Sequence, residues 1–380
     1  VTAPTWPISV PETALIELRR RLLATRWPDE QTAADQGPAL AQLRALCDHW
    51  ATAYDWRRCE DDLNALGSAR ATIDGIGIHL LHVRSPEPGA VPLLMWHGWP
   101  GSVLEFRRLV GPLTDPVAHG GSREDAFHVV VPSMPGFGFS DKPTQVGWNV
   151  PRIADAWTDL MGSLGYDRFY AHGGDWGASV VDQIGRRSAD RCAGLHFNLP
   201  LVFPDADEMR DADNVERRMM TRAMHYSAKL DGYAKEQSTR PQTIGYSLAD
   251  SPVGLAAWIY TLLQDVGDND GDPTIVISMD EIIDDIMLYW LPNAGASSAR
   301  LYWEQAQLDA TGGGRTQPRN PTPAGFSIFP AEAVQASRRW VERRYDVLHY
   351  EQLDHGGHFA ALEQPQVLVQ QIRSTFRSIR

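Results

Sequence analysis

The stretch Gly173-Gly174-Asp175-Trp176-Gly177 sets a carboxylate between glycines in a spacing that can do chemistry. Before it, Arg168-Phe169-Tyr170-Ala171-His172 reads as a buried strand. After it, Ala178 to Ile184 reads as a helix with Val180, Val181 and Ile184 on one side. A strand, a glycine-flanked turn and a helix make a nucleophile elbow, G-x-Nu-x-G, with Asp175 as the nucleophile. A carboxylate that attacks carbon makes an ester, which water can reopen at its carbonyl. A serine oxygen attacking saturated carbon would make an ether with no such exit. The aspartate therefore points to displacement at saturated carbon, with an epoxide opened or a halide expelled. Alone, the same five residues are equally a Gly-rich turn with a solvated or capping aspartate.

The partners of such a nucleophile follow it in the order acid, then histidine. His358, in Asp354-His355-Gly356-Gly357-His358-Phe359, precedes the final helix and is the expected base. His355 reads as a loop residue. Glu332, in Phe329-Pro330-Ala331-Glu332, follows the penultimate strand and is the expected orienting acid, with Asp346 and Asp354 as rivals. His97 and His172 end strands and are expected to hold loops. The backbone N–H groups of Trp99 and Trp176 are the expected oxyanion hole. Opening an epoxide also needs a proton donor for its oxygen, and a tyrosine phenol suits. Tyr226, Tyr233, Tyr246, Tyr260, Tyr289 and Tyr302 are candidates that composition does not separate. No H-E-x-x-H or further Cys/His cluster accompanies His355 and His358, so neither metal nor organic cofactor is expected.

These residues need elements to hold them. Residues 1–90 read as an N-terminal extension wrapping a core. Ser9-Val10-Pro11-Glu12 has capping-box spacing ahead of Leu15, Leu18 and Leu22. A second helix runs through Leu40, Leu43, Leu46 and Trp50, and a glycine-turn hairpin spans 71–83. From Val91 strands and helices alternate: Val91–Trp96, Phe127–Pro132, a helix over 152–164, the elbow, and Gly194–Leu199. Alternation implies an α/β fold, with a mostly parallel sheet covered by helices on both faces. It defines a first core part over 91–203. Residues 204–323 carry helical patterns without strands and read as an inserted cap, with 311–321 as a flexible return. The second core part, 324–380, resumes with strands at 325–329 and 345–350 and a last helix.

A chain of 380 residues can bury a large core. Its net charge of −13 argues against nucleic acid and anionic membrane as partners. Three cysteines give no disulfide framework and fit a reducing, cytoplasmic setting. No signal peptide is visible, and no apolar run nears the ~18 residues of a membrane span. The 13 tryptophans, several near the motifs, suit an apolar pocket.

Over nearly its whole length the chain resembles the microsomal-type epoxide hydrolases of the α/β-hydrolase superfamily. The likeness rests on Arg26-Trp27-Pro28, His97-Gly98-Trp99-Pro100-Gly101-Ser102, the elbow, Asp250 to Ala257, and Gly356-Gly357-His358-Phe359-Ala360-Ala361. It implies Asp175 as nucleophile, Glu332 as acid, His358 as base, and Tyr233 and Tyr302 as the pair that activates the epoxide oxygen. No membrane-anchoring helix like that of the animal enzymes is read in these residues, so the soluble bacterial members are expected to be the nearer comparison. It is similar to actinobacterial members, including those of enediyne antibiotic pathways, which open aryl epoxides to vicinal diols. The resemblance thus implies an aryl, styrene-oxide-like epoxide and water as partners, in secondary metabolism or detoxification, with homo-oligomerisation left open. The rival readings are a haloalkane dehalogenase, which would hold halide with donors such as tryptophan, and a catalytically silent hydrolase-fold binding protein.

Overall fold

The computed structural model describes residues 3–312 and 318–380. Its strands are β1 (Ser68–Ile73), β2 (Ile76–Val83), β3 (Val91–Trp96), β4 (Phe127–Pro132), β5 (Phe169–Gly173), β6 (Cys192–Phe197), β7 (Ala324–Ile328) and β8 (Val347–Gln352). They form one sheet in the order β1-β2-β4-β3-β5-β6-β7-β8, antiparallel at β1–β2–β4 and parallel beyond. β5 and β7 are buried at every residue, the pattern of strands covered on both faces.

Helices α1 (Glu12–Leu23), α2 (Leu40–Thr52) and α3 (Trp56–Ala65) precede the sheet. Within it run α4 (Arg107–Thr114), α5 (Val150–Ser163) and α6 (Trp176–Arg187). Then come α7 (Ala206–Arg210), α8 (Asn214–His225), α9 (Gly232–Thr239), α10 (Pro241–Asp250), α11 (Pro252–Val266), α12 (Met279–Trp290) and α13 (Gly295–Ala310), between β6 and β7. α14 (Arg338–Arg344) joins β7 to β8, and α15 (Ala360–Glu363) and α16 (Pro365–Phe376) close the chain.

The chain leaves β3 toward β4 on one side, and leaves β5 toward β6 on the other. Right-handed crossovers then put α4 and α6 on opposite faces. The C-terminal ends of β3 and β5 flank the point where the order reverses, which is where open α/β sheets leave a crevice. His97-Gly98-Trp99 and the Asp175 elbow emerge there.

Three expectations are corrected. The hairpin belongs to the central sheet as its edge, with Asp74 and Gly75 both at positive φ in its turn. The Ser9–Glu12 capping box does not form. Helix α1 starts at Glu12 behind Pro11, because Val10 N–H donates to the buried Glu60 carboxylate at 2.6 Å and Glu12 pairs with Arg57. Of the expected flexible return, Gly313 to Gln317 lie outside the described residues, but Asn320 is buried and its amide donates to Asp182 O and Oδ1.

The first helices hold the helices of the insertion against the core. The Arg21 guanidinium donates to Asp250 O and Oδ1, and His49 pairs with Asp280 at 2.7 Å. Asp284 on α12 is a buried hub. It accepts from Tyr54 and Arg58 of the extension and from Arg107 of α4. Removing one partner of such a hub leaves a buried charge unmatched, a loss of about 3–5 kcal/mol.

Candidate active site

Asp175 sits between β5 and α6 at φ 49°, ψ −129°, a conformation disfavoured for a residue with a Cβ. The turn is tight enough that a Cβ on Gly173 would lie 2.5 Å from the backbone of Gly177, and one on Gly177 would lie 2.7 Å from Trp96 O. Gly98 is as constrained, since its Cβ would stand 2.1 Å from Asp175 Oδ1. The elbow strain thus aims the carboxylate into the crevice, against backbone that only glycine lets approach.

The structure brings the expected partners together. His358 Nε2 lies 3.4 Å from Asp175 Oδ2, and its Nδ1 lies 3.0 and 3.1 Å from the two oxygens of Glu332. Glu332 is buried after β7, and its Oε1 also accepts from Ala333 N–H at 2.7 Å. α14 begins only at Arg338, so Glu332 is no helix-end carboxylate. The His358 loop is tied to the insertion: His358 N–H donates to Val266 O and Gly356 N–H to Asp268 Oδ2. Asp346, Asp354 and His355 are exposed and away from this cluster. Burial opposes a charge on His358, but the Glu332 and Asp175 carboxylates outweigh it and hold the imidazole well above its usual pKa.

Trp99 N–H donates to Asp175 Oδ1 at 2.8 Å. Trp176 is the first residue of α6, so its N–H has no carbonyl of the helix to bond. Both tryptophan backbones thus stand beside the carboxylate. His97 and His172 are buried, with pKa values lowered to about 4 and about 3, chiefly by burial. His97 bonds the adjacent Gly98 carbonyl, and His172 meets His196 across β5 and β6.

The six tyrosines separate cleanly. Tyr226, Tyr233 and Tyr302 line a cavity of about 180 Å³ together with Asp175 and His358. Tyr233 stacks on Trp99 with ring centroids 5.2 Å apart, and Tyr302 stands edge-on to Trp176 at 4.8 Å. Burial, before any charge, pushes both phenols well above their usual pKa, so they keep their protons. Tyr289 donates to Gly101 O, Tyr260 approaches Asp272, and Tyr246 is 70% exposed.

Sequence reasoning missed Glu105. It lines a second cavity, of about 20 Å³, with Asp175, His358, Asn198 and His172. Burial, then the neighbouring Asp285, raise its pKa well above the carboxylate range. Ser102 and Glu105 have capping-box spacing, which hides the residue among ordinary helix starts. Among the described residues no group of three or more His, Cys, Asp or Glu could hold a metal ion. Among them, too, no helix is long and apolar enough to cross a membrane.

The reversal of strand order beside a strained carboxylate elbow defines an α/β-hydrolase fold, and residues 91–247 match the family described as alpha/beta hydrolase fold. Residues 4–106 match the family described as epoxide hydrolase N terminus. The chain is 50% identical, over 99% of its length and 85% of the other's, to a Stigmatella aurantiaca protein named, provisionally, as an epoxide hydrolase. It is 35% identical to epoxide hydrolase 1 of Sus scrofa, over 87% of this chain and 78% of that one. The solved juvenile hormone epoxide hydrolase of Bombyx mori superposes with a TM-score of 0.91 at 26% identity, covering 100% of this chain and 95% of its own. The Aspergillus niger epoxide hydrolase does so with 0.89 at 27%, covering 100% and 97%. The chain belongs to the microsomal-type epoxide hydrolases.

Proposed function

We propose that this epoxide hydrolase converts an apolar, aryl-substituted epoxide to a vicinal diol through an ester on Asp175. Residues 204–323 act as a cap over a core made of 91–203 and 324–380 with the β1–β2 hairpin at its edge, and the helices of the first 65 residues clasp the two. The epoxide enters the larger cavity, where its substituent meets Leu199, Leu262, Val266 and the tyrosine rings. Tyr233 and Tyr302 hydrogen-bond the ring oxygen. Asp175 Oδ2 attacks one ring carbon, the carbon–oxygen bond breaks, and its electron pair stays on the oxygen, which takes a phenol proton.

Esterification then changes His358. One of the two anions that hold the imidazole protonated is gone, so Nε2 can release its proton to solvent and act as a base. A water in the smaller cavity lies between Glu105, His358 and the Asp175 carbonyl. That volume suits one molecule with several polar partners. His358 takes a proton from this water as its oxygen adds to Asp175 Cγ. Trp99 N–H, and with it Trp176 N–H, holds the charge that builds on Oδ1. Collapse expels the diol oxygen, which takes the proton back from His358. The Asp175 acid then ionises, its proton restores the tyrosine, and His358 regains its own proton from solvent.

The observation that carries this reading is the 3.4 Å approach of His358 Nε2 to Asp175 Oδ2, with Glu332 behind the imidazole. Halide binding is less well supported, since the Trp99 indole N–H is already donated to Ser298 Oγ at 3.3 Å. A single turnover in heavy-oxygen water tests the reading. We expect label in the Asp175 carboxylate and unlabelled diol. Label in the diol after that one turnover means direct attack by water and refutes the ester.

A further inference from the structure

Tyr226 has no part in the reaction so far, yet it touches a residue that does. Its Oη lies 2.8 Å from Tyr233 Oη, and it lines the same cavity as Asp175, Tyr302 and His358. Seven residues of uninterrupted α-helix would separate the pair by about 10.5 Å along the axis. The chain avoids this. After α8, Tyr226–Leu230 form a single π-helical turn, and α9 starts afresh at Gly232. Such turns are rare and recur at functional sites. Here the turn sets the two hydroxyls side by side. Tyr233 is 8% exposed, whereas Tyr226 is half-buried at the cavity rim.

A phenol carries one proton and can accept two. If Tyr233 gave its proton to Tyr226, none would remain for the epoxide oxygen. We propose that Tyr226 is a positioning residue for ring opening: its hydroxyl donates to Tyr233 Oη and thereby commits the Tyr233 proton to the substrate oxygen. This rests on Tyr233 being a proton donor in the reading above. As the ring carbon–oxygen bond breaks, its electron pair goes to the oxygen. That oxygen takes the Tyr233 proton, and Tyr233 takes the Tyr226 proton. The negative charge ends on the phenol nearer solvent. There it is neutralised by the proton that Asp175 releases after ester hydrolysis. Linked hydroxyls also polarise one another, which strengthens the bond to the developing alkoxide.

The test is a double-mutant cycle on the rate of Asp175 alkylation, followed in single turnover with styrene oxide. Tyr226→Phe is expected to slow alkylation about tenfold, to leave hydrolysis of the ester unchanged, and to add nothing in a Tyr233→Phe background. The solvent deuterium dependence of alkylation should change from two protons in flight to one, which loss of packing alone would not produce. Unchanged alkylation in Tyr226→Phe, or an equal loss in both backgrounds, overturns the relay and leaves the ester mechanism standing. Full alkylation in Tyr233→Phe overturns the relay together with the donor role beneath it.

Discussion

Two cavities meet at Asp175, and they are built for opposite purposes. The larger, about 180 Å³, is walled by phenols and aliphatic side chains brought in by α9, α11 and α13. The smaller, about 20 Å³, is walled by Glu105, Asn198, His172 and the backbone of the loop after β3. Asp175 and His358 are the two residues that line both. An apolar electrophile and a polar nucleophile must each approach the same carboxyl carbon or its oxygen without meeting. In the proposed mechanism this separation is spatial: the helices between β6 and β7 serve the first half-reaction and the loops of the sheet serve the second.

The largest expected effect separates the halves outright. His358→Gln should lower turnover on the order of 10³-fold while alkylation continues, so that the protein gains the mass of one epoxide. Absence of an adduct by mass spectrometry would remove His358 from ester hydrolysis.

A smaller effect probes the polar cavity alone. Glu105→Gln should slow ester hydrolysis on the order of tenfold, the worth of one hydrogen bond of about 1.4 kcal/mol, and leave alkylation within about twofold. Equal slowing of both steps in stopped flow would assign Glu105 to the fold and blur the comparison.

The last effect falls on stability and not on either chemical step. Burial pushes the neighbouring Asp285 up to about 7, above the usual carboxylate value. Between about pH 4 and 7 the folded chain keeps a proton that the unfolded chain has released, so stability falls by up to roughly 1.4 kcal/mol per pH unit as pH rises. Asp285→Asn lacks this loss. Its Tm relative to the parent should therefore climb from pH 5 to pH 8, and a constant difference would refute the buried acid.

Some of this was legible in the chain and some was not, for identifiable reasons. β4 appears where its apolar run, Val129 to Val131, predicts it, because a strand covered on both faces leaves little polar alternation. The elbow was legible because its glycines are required by contacts of the local backbone. α3 and α14 went unread. α3 is rich in charge, and α14 is a short link of seven residues, RRWVERR, of which Trp340 and Val341 are buried. The hairpin was recognised, but its place in the sheet depends on pairing with β4, some 50 residues further on. Ser9 and Glu12 had the spacing of a cap, yet distant partners on α3 compete for Val10 and Glu12.

The order Asp175, Glu332, His358 after successive strands could be read from the chain alone, because the apolar runs and glycine turns that mark those strands are local properties. Composition narrowed the candidate proton donors to six phenols, and only the family resemblance singled out Tyr233 and Tyr302 among them. Packing brought Tyr226, Tyr233 and Tyr302 to one cavity, set Glu105 in the smaller cavity beside Asp175, and left Tyr289 to support a loop instead. Those choices depend on how helices far apart in the chain pack over the sheet, and side-chain neighbours across such an interface leave no periodic signal in either segment.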